Sequence, residues 1–391
     1  MPEIIILSQS YPYGKGEVFL ENELKVLSGI AKQIQIYNAY SGDGVPRSLA
    51  HGLSSQSLSA SAGKMQKIKA LLNKVYRTEV KKNQIRLRDT HWLGYFAEAL
   101  NRKQFLENKG LNPDAIYYAF WTDEWALALA LLKQEGKIKR FYSRVHGYDL
   151  FEERSPGGKI PFRDFVLKQV DRVYCVSAAG KAYLAEKYPN YDKKLHLYSL
   201  GVFDHGMGKI PDSGTPLIVS CSNMIPLKRV HLIAELLGRY GQPLRWVHFG
   251  AGRELDKVLE VLKEFKQVQA EFPGHVSNAE LISFYQNNAV HAFVHMSETE
   301  GGIPVAIQEA VSFGIPVIAA NSGGVPEIVG TQTGVLLPHA VNVNAAIEAL
   351  SKVLQTMSHD AVKRDNIRNI WKSQFDAEKK YADFAAHLMH E

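Results

Sequence analysis

HMSETEGGIPVAIQEAVSFGIPVIAANSGGVPEIV, residues 295–329, opens at the end of an apolar run, Ala289 to Val294, with the composition of a strand buried on both faces. A glycine-bearing turn follows, Gly301-Gly302-Ile303-Pro304. A helix pattern then runs from Val305 to about Phe313, with Gly314 as its C-terminal stop. A second apolar strand, Pro316 to Ala320, leads into another glycine loop, Ser322 to Glu327. The unit is a βαβ crossover with glycine-rich loops at the C-terminal ends of both strands. Such loops turn backbone N–H groups outward at a helix N-terminus, where unpaired donors and the helix dipole favour a phosphate. Two carboxylates bracket the first turn, Glu300 before it and Glu309 inside the helix.

These residues resemble the nucleotide-sugar site of retaining glycosyltransferases of the GT-B fold, family 4, the group 1 glycosyl transferases. The family pattern is Glu, a small-residue turn, seven intervening residues and a second Glu followed by Ala. Here eight residues separate Glu300 from Glu309, because Gly301 and Gly302 stand together in the turn. GIPVIAANSGGVPEIV matches without gaps. The resemblance implies that Glu309 holds the donor ribose and Glu300 contacts the transferred sugar. It also implies that Gly301, Gly302, Ile303 and Pro304 line the donor. The extra glycine leaves two arrangements open. Either the turn bulges and Glu300 keeps its place, or Gly301 takes that place and the carboxylate is displaced.

Length and composition agree with such a protein. A chain of 391 residues is long for one core, so two domains are the default. Hydrophobic content of 46% and charged content of 22% are those of an ordinary globular protein. Two cysteines, Cys175 and Cys221, lie in strand-like runs and read as buried structural thiols, with no disulfide framework or metal spacing. No apolar run approaches the roughly 20 residues that span a bilayer, and no signal peptide is read. The expectation is a cytoplasmic protein.

From the N-terminus, Glu3 to Ser8 reads as a buried strand. The loop Gln9 to Glu17 and a helix bearing Val18, Phe19, Leu20, Leu24 and Leu27 follow. A glycine loop between first strand and first helix is again a phosphate-facing geometry, or merely a tight connection. The family places a glycine loop here, which gives Gly14 and Gly16 a donor-facing or acceptor-facing role by resemblance. Strands are read at Ala115–Phe120 and Arg140–Val145, with a helix from Asp123 between them. The second runs into His146-Gly147-Tyr148-Asp149. A histidine at a strand end is commonly structural, yet ligands of doubly wound sheets sit outside those ends. The family has a histidine here that contacts the transferred sugar, and the resemblance gives that role to His146, with Arg144 and Asp149 as lesser candidates. Asp171 to Ser177 resembles the family's last strand of the first domain.

Residues 64–103 carry eleven basic and three acidic residues, a net +8 where the whole chain is +6. Leu71, Leu72, Val75, Leu93, Tyr95 and Phe96 interleave with them as in an amphipathic helical hairpin. A solvated helix face is one reading. Attraction to an anionic membrane surface is the other, each basic residue being worth about 1 kcal/mol there. No nucleic acid partner is expected, since no recognition module accompanies the charge.

Asp204 to Thr215 reads as a linker, and Leu217–Cys221 opens a second sheet. In the loop after it the family has an arginine five residues before a lysine, both on the donor pyrophosphate. Lys228 fits the lysine. Asn223 holds the arginine position, and Arg229 is the candidate for the missing charge. Trp246 to Gly252 lacks the third glycine of a dinucleotide fingerprint, which argues against a dehydrogenase. By resemblance Gly250 lines the donor cleft, and His275 and Val276 lie in the loop receiving the base. Trp371, Phe375, Tyr381, Phe384 and Leu388 space themselves along a terminal helix.

The expectation is therefore an α/β protein of two Rossmann-like doubly wound domains facing a cleft (GT-B). Residues 1–205 are the acceptor-binding domain and 206–370 the nucleotide-sugar domain, and a C-terminal helix, 371–391, crosses back to the first. The implied activity is a retaining hexosyl transfer from a nucleotide sugar to a hydroxyl of a glycan or polyprenyl-diphosphate-linked acceptor, in bacterial surface-polysaccharide biosynthesis. Lys228 steadies the leaving diphosphate, and His146 and Glu300 position the sugar. No cofactor or metal is expected, as no Asp-x-Asp motif occurs. The alternatives are a catalytically degenerate nucleotide-binding paralogue and a sugar-nucleotide epimerase. A peripheral place on the inner face of the cytoplasmic membrane accompanies the lipid-linked acceptor.

Overall fold

A computed structural model describes residues 3–389 apart from 15, 32, 41, 43, 50 and 59. Lys15 and the side chain of Val18, both part of the sequence reading, lie outside the described residues. The chain divides into two compact units, residues 1–198 with 381–391, and residues 199–380.

The first unit is built on seven parallel strands: β1 (Ile4–Ser8), β2 (Ile34–Asn38), β3 (Leu53–Ser57), β4 (Ile116–Ala119), β5 (Phe141–Val145), β6 (Arg172–Cys175) and β7 (Leu195–Leu197). Their order is β3-β2-β1-β4-β5-β6-β7. Alternate residues of β1 feed two cores, Ile4 and Ile6 on one face and Ile5 and Leu7 on the other. Helices cover both faces, so β1, β4 and β5 are buried along their whole length; β1 and β4 read in sequence as apolar runs, while β5 carries Ser143 and Arg144.

The second unit has six parallel strands: β8 (Leu217–Cys221), β9 (Leu244–Phe249), β10 (Val268–Gly274), β11 (Ala292–His295), β12 (Val317–Ala320) and β13 (Gly334–Leu337). Their order is β10-β9-β8-β11-β12-β13. Trp246, Phe293, Ile307, Ile318 and Trp371 share its core. In each sheet the winding reverses once, between β1 and β4 in the first and between β8 and β11 in the second. Open α/β sheets bind ligands outside the carboxyl ends of the strands at such a reversal.

The C-terminal region differs from the single helix expected over residues 371–391. One helix spans Ala361–Gln374 and the next Ala377–Met389. The break comes because the chain pairs with residue 202 there: Val202 N–H donates to Phe375 O at 3.1 Å, and Ala377 N–H donates to Val202 O at 3.0 Å. That approach leaves no room for a side chain at Gly201, whose added Cβ would lie 2.8 Å from Ala377 Cα. Trp371 and Phe375 consequently belong to the second core, while Phe384, Ala385 and Leu388 pack in the first.

The basic segment forms three helices, Lys64–Leu72, Lys74–Lys82 and Thr90–Lys109, rather than a hairpin. Tyr76, Val80, Trp92 and Phe96 are among its buried residues, with Glu79 and Arg102 buried beside them. Leu72, expected to face inward, is 69% exposed, and Met65 and Ile68 beside it on the same helix face are 60% and 52% exposed.

Candidate functional site

The reversal of the second sheet gathers most of the expected residues. The loop after β8 carries Lys228, whose Nζ lies 2.5 Å from Glu300 Oε1 in the loop after β11. His295, the last residue of β11, places Nε2 2.9 Å from the same oxygen. Burial works to raise the Glu300 carboxyl, but the His295 hydrogen bond and the Lys228 charge outweigh it and hold the carboxyl at about 2. Glu300 is thus a fixed anion clasped by two partners. His295 was missed from sequence, although the strand-end position that drew attention to His146 describes it equally well.

Backbone lacing holds this cluster. Glu298 N–H donates to Leu227 O at 2.9 Å, joining the loops after β8 and β11. Arg229 sits at φ 47° and turns its guanidinium back, Nε donating to Met296 O at 2.6 Å and Nη2 to Ser297 O at 3.1 Å. The expected replacement of the family arginine by Arg229 is not what this arrangement presents: the guanidinium braces two loops, and Asn223 stands exposed. The loop after β12 closes on the same backbone. An added Cβ at Gly323 would lie 1.6 Å from Glu300 O, and one at Gly324 would lie 2.6 Å from the Gly302 carbonyl carbon. Glycine at both positions lets the two loops interlock. Gly301 and Ile303 are buried and Gly302 and Pro304 half-buried, and Pro304 leads directly into the helix Val305–Ser312.

Glu309 lies one turn further inside that helix and is 5% exposed. Burial lifts its carboxyl to about 7, against the hydrogen bond it accepts from Asn278 Nδ2 at 2.5 Å. Asn278 opens the helix that follows the His275–Val276 loop, so the base-loop candidates and Glu309 are tied through one contact that the sequence reading did not contain. Gly250 is required for close approach, an added Cβ meeting Ser222 O at 1.9 Å. Cys221, expected to be buried, is half-buried; it borders Glu309 and Lys228, and desolvation pushes its thiol up to about 12, while Cys175 is buried and raised for the same reason.

In the first unit His146 is 7% exposed and walled by Phe19, Phe120 and Trp121, with ring centroids 5.3, 5.0 and 4.2 Å away. Burial, with Arg144 nearby, pushes its pKa well below the usual range, so the ring is neutral. Asp149 is structural here, its carboxylate accepting from Thr122 N at 2.9 Å and His146 N at 2.8 Å. Arg144 is structural too, paired in the core with Glu23.

Gly14 occupies a tight turn at φ 67°. The converging amides of that loop belong instead to Gln9, Ser10 and Tyr11, and all three donate to the Glu17 carboxylate at 2.7–2.9 Å. An internal carboxylate therefore fills the nest that the glycine pattern had suggested for a phosphate, and Gly16 only carries the chain around it. Among the described residues no group of three or more His, Cys, Asp or Glu is placed to hold a metal ion.

Residues 208–370 match the family model described as glycosyl transferases group 1. A putative colanic acid biosynthesis glycosyltransferase, WcaL, of Salmonella typhimurium is 29% identical over 184 residues, 44% of each chain. The chain thus spans less than half the length of that curated relative. Among solved structures, a sucrose-phosphate synthase of Thermosynechococcus elongatus superposes with TM-score 0.75 at 16% identity over 98% of both chains. The Anabaena protein HepE, determined with UDP and glucose, gives TM-score 0.67 at 15% identity over 99% of both. These two likenesses are of fold.

Proposed function

We propose that this chain, whose residues 208–370 match the glycosyl transferases group 1 model, moves a sugar from a nucleotide-sugar donor to a hydroxyl of a glycan or polyprenyl-diphosphate-linked acceptor, with retention. The observation that carries this reading is the Lys228–Glu300–His295 cluster at the reversal of the second sheet, bordered by two interlocked glycine loops, with Glu309 buried behind it. Lys228 has three N–H donors and can hold Glu300 and a diphosphate oxygen together. In the reaction the bond from the anomeric carbon to the diphosphate oxygen breaks, and the acceptor oxygen bonds that carbon from the same face. The acceptor proton passes to the departing diphosphate, whose charge Lys228 and the amides at Val305 offset. Glu309 receives the ribose hydroxyls.

Calorimetry against UDP, GDP, ADP and their sugars tests the donor. One nucleotide class is expected to bind and to raise the melting temperature by mass action. Binding of none would favour a degenerate paralogue over an enzyme.

The setting we propose is assembly of a bacterial surface polysaccharide at an anionic membrane surface. What supports it is the helix Lys64–Leu72, where Met65, Ile68 and Leu72 form an exposed apolar stripe among exposed Lys64, Lys67 and Lys69. No helix among the described residues is long and apolar enough to cross a membrane. Reversing Lys81, Arg86 and Arg88 to glutamate is expected to weaken binding to phosphatidylserine vesicles by on the order of 100-fold or more, at about 1 kcal/mol per basic residue. Ile68→Glu with Leu72→Glu is expected to abolish binding while leaving nucleotide affinity unchanged. Vesicle binding that survives both sets would remove this segment from the account.

A further inference from the structure

The reversal of the first sheet holds a polar cluster that none of the roles above uses. It lies where the second sheet holds Lys228 and Glu300, between the carboxyl ends of the two central strands, here β1 and β4. Gln9, just after β1, donates from Nε2 to Asp123 Oδ2 at 2.5 Å. Asp123 is 3% exposed and caps the helix Glu124–Gln134, accepting from Trp125 N at 2.8 Å. Arg102 reaches it from the helix Thr90–Lys109, Nη1 lying 3.6 Å from Asp123 Oδ1 and Nη2 3.4 Å from Glu124 Oε2. Arg102 is 6% exposed, yet its Nε and Nη1 have no hydrogen-bond partner among the described residues. A buried guanidinium with spare donors is costly unless the site is completed by something else.

Two aromatic rings border this cluster. Trp121 and Tyr148 lie 4.8 Å apart between centroids, and the Tyr148 ring is half-exposed. Glu17 fixes Trp121 by accepting from its Nε1 at 2.6 Å, with the same carboxylate that fills the first loop. The Tyr148 hydroxyl lies 3.3 Å from Asp123 Oδ2, a long and replaceable contact. Exposed aromatic faces beside a hydrogen-bonding carboxylate suit a sugar: the rings cover its C–H face and the carboxylate accepts from a hydroxyl. An acid would meet Glu17, Asp123 and Glu124 together and be repelled.

We propose that Trp121, Tyr148 and Asp123, at the carboxyl ends of β1 and β4, form the subsite for an uncharged sugar of the acceptor, an acceptor hydroxyl replacing the Tyr148 hydroxyl on Asp123 and drawing on Arg102. This rests on the transferase reading and adds to it the class of acceptor and the residues that select it. The groups facing Asp123 are Arg102 and Tyr95 of one helix, Glu124 of its own, Gln9 after β1 and Tyr148 after β5. Burial, with Glu124 adding to it against Arg102, raises the Asp123 carboxyl to about 7, so its capacity to accept grows as pH passes neutrality.

The test uses the full chain and saturation-transfer NMR with methyl hexosides and methyl hexuronides as probes. Neutral methyl hexosides are expected to bind and hexuronides to bind at least tenfold more weakly. Affinity for the neutral probes is expected to rise about tenfold from pH 6 to pH 8, the span over which a group of pKa near 7 ionises. Asp123→Asn should lower affinity and flatten that profile. Tyr148→Ala, at a half-exposed position, should weaken binding about tenfold, and Tyr148→Phe should retain it. Equal binding of neutral and acidic probes, or unchanged binding in both Asp123→Asn and Tyr148→Ala, would overturn the proposal. Nucleotide calorimetry on the same samples separates the two readings: its failure in the wild type sinks the transferase, whereas its success beside unaltered glycoside binding sinks only this subsite.

Discussion

Glu309→Gln is expected to leave a protein that binds nucleotide about 10- to 100-fold more weakly, and yet is more stable without ligand above neutral pH. Both effects come from one buried carboxyl. Its ionised form is the acceptor for ribose hydroxyls in the proposed site, and charge-assisted hydrogen bonds of that kind are worth about 1.5–3 kcal/mol. Holding an ionised carboxylate at 5% exposure with a single Asn278 donor is unfavourable, which is why burial lifts the group from 4.5 to about 7. The folded protein therefore keeps a proton that the unfolded chain releases between those values. Glu309's contribution to stability is full below about pH 4.5, declines as pH rises, and is lost once pH passes about 7. The loss is about 3 kcal/mol at 1.36 kcal/mol per pH unit.

Glutamine keeps the shape and the Asn278 contact and has no charge to bury. Unfolding followed with pH should show wild type and variant equal near pH 4.5 and diverging to about 3 kcal/mol by pH 8, with the melting temperature moving by about 2–4 °C per kcal/mol. Parallel stability profiles would mean that Glu309 is not a strained acid. Unchanged nucleotide affinity would mean that the ribose is held elsewhere.

What the sequence disclosed about the fold followed from burial. β1, β4, β8, β11 and β12 are central strands buried on both faces, so each is a short, largely apolar run between turn residues, and β5 is as buried with Ser143 and Arg144 inside it. The edge strands β3 and β10 escaped, because LSSQS and VQAEFPG alternate between half-buried and exposed and carry no such run, and β2 escaped although buried, because polar Gln35 and Asn38 interrupt IQIYN. Gly314, at φ 71°, ends its helix as its position suggested.

The site was legible only as single residues. That Lys228 touches Glu300 follows from β8 and β11 being neighbours, a fact of topology and not of spacing. Asn278, 31 residues from Glu309 in the chain, has no local signature at all. Gly14 and Gly16 show the reverse failure: the glycine pattern was real, but the amides it prepared are taken by Glu17, a residue whose role depends on a left-handed turn at φ 56°.

Arg144 makes the same point, and its partner gives the second large expected effect. In sequence it is a charged residue two positions before His146, and it drew notice as a site candidate. In the fold its guanidinium lies 2.5 Å from Glu23 Oε2 with both side chains wholly buried, and 4.3 Å from the centre of the Phe384 ring. One helix, one strand and the C-terminal segment meet at this pair. Desolvating two charges costs several kcal/mol each, and their attraction returns that only while both are present. Glu23→Leu, which strands the guanidinium, is accordingly expected to destabilise the first unit by about 3–5 kcal/mol. Adding Arg144→Met should recover most of the loss, since an apolar pair of similar volume is commonly neutral in such a place. Urea unfolding followed by tryptophan fluorescence, with single and double variants compared, gives the coupling directly. A loss below about 1 kcal/mol in Glu23→Leu would mean that water or a rearranged core reaches Arg144, because only an uncompensated buried charge carries the larger penalty. The double variant should bind nucleotide like the wild type, as both residues belong to the first unit and the proposed nucleotide site is built from the second. If donor affinity fell with stability restored, Arg144 would have to be counted with the site after all.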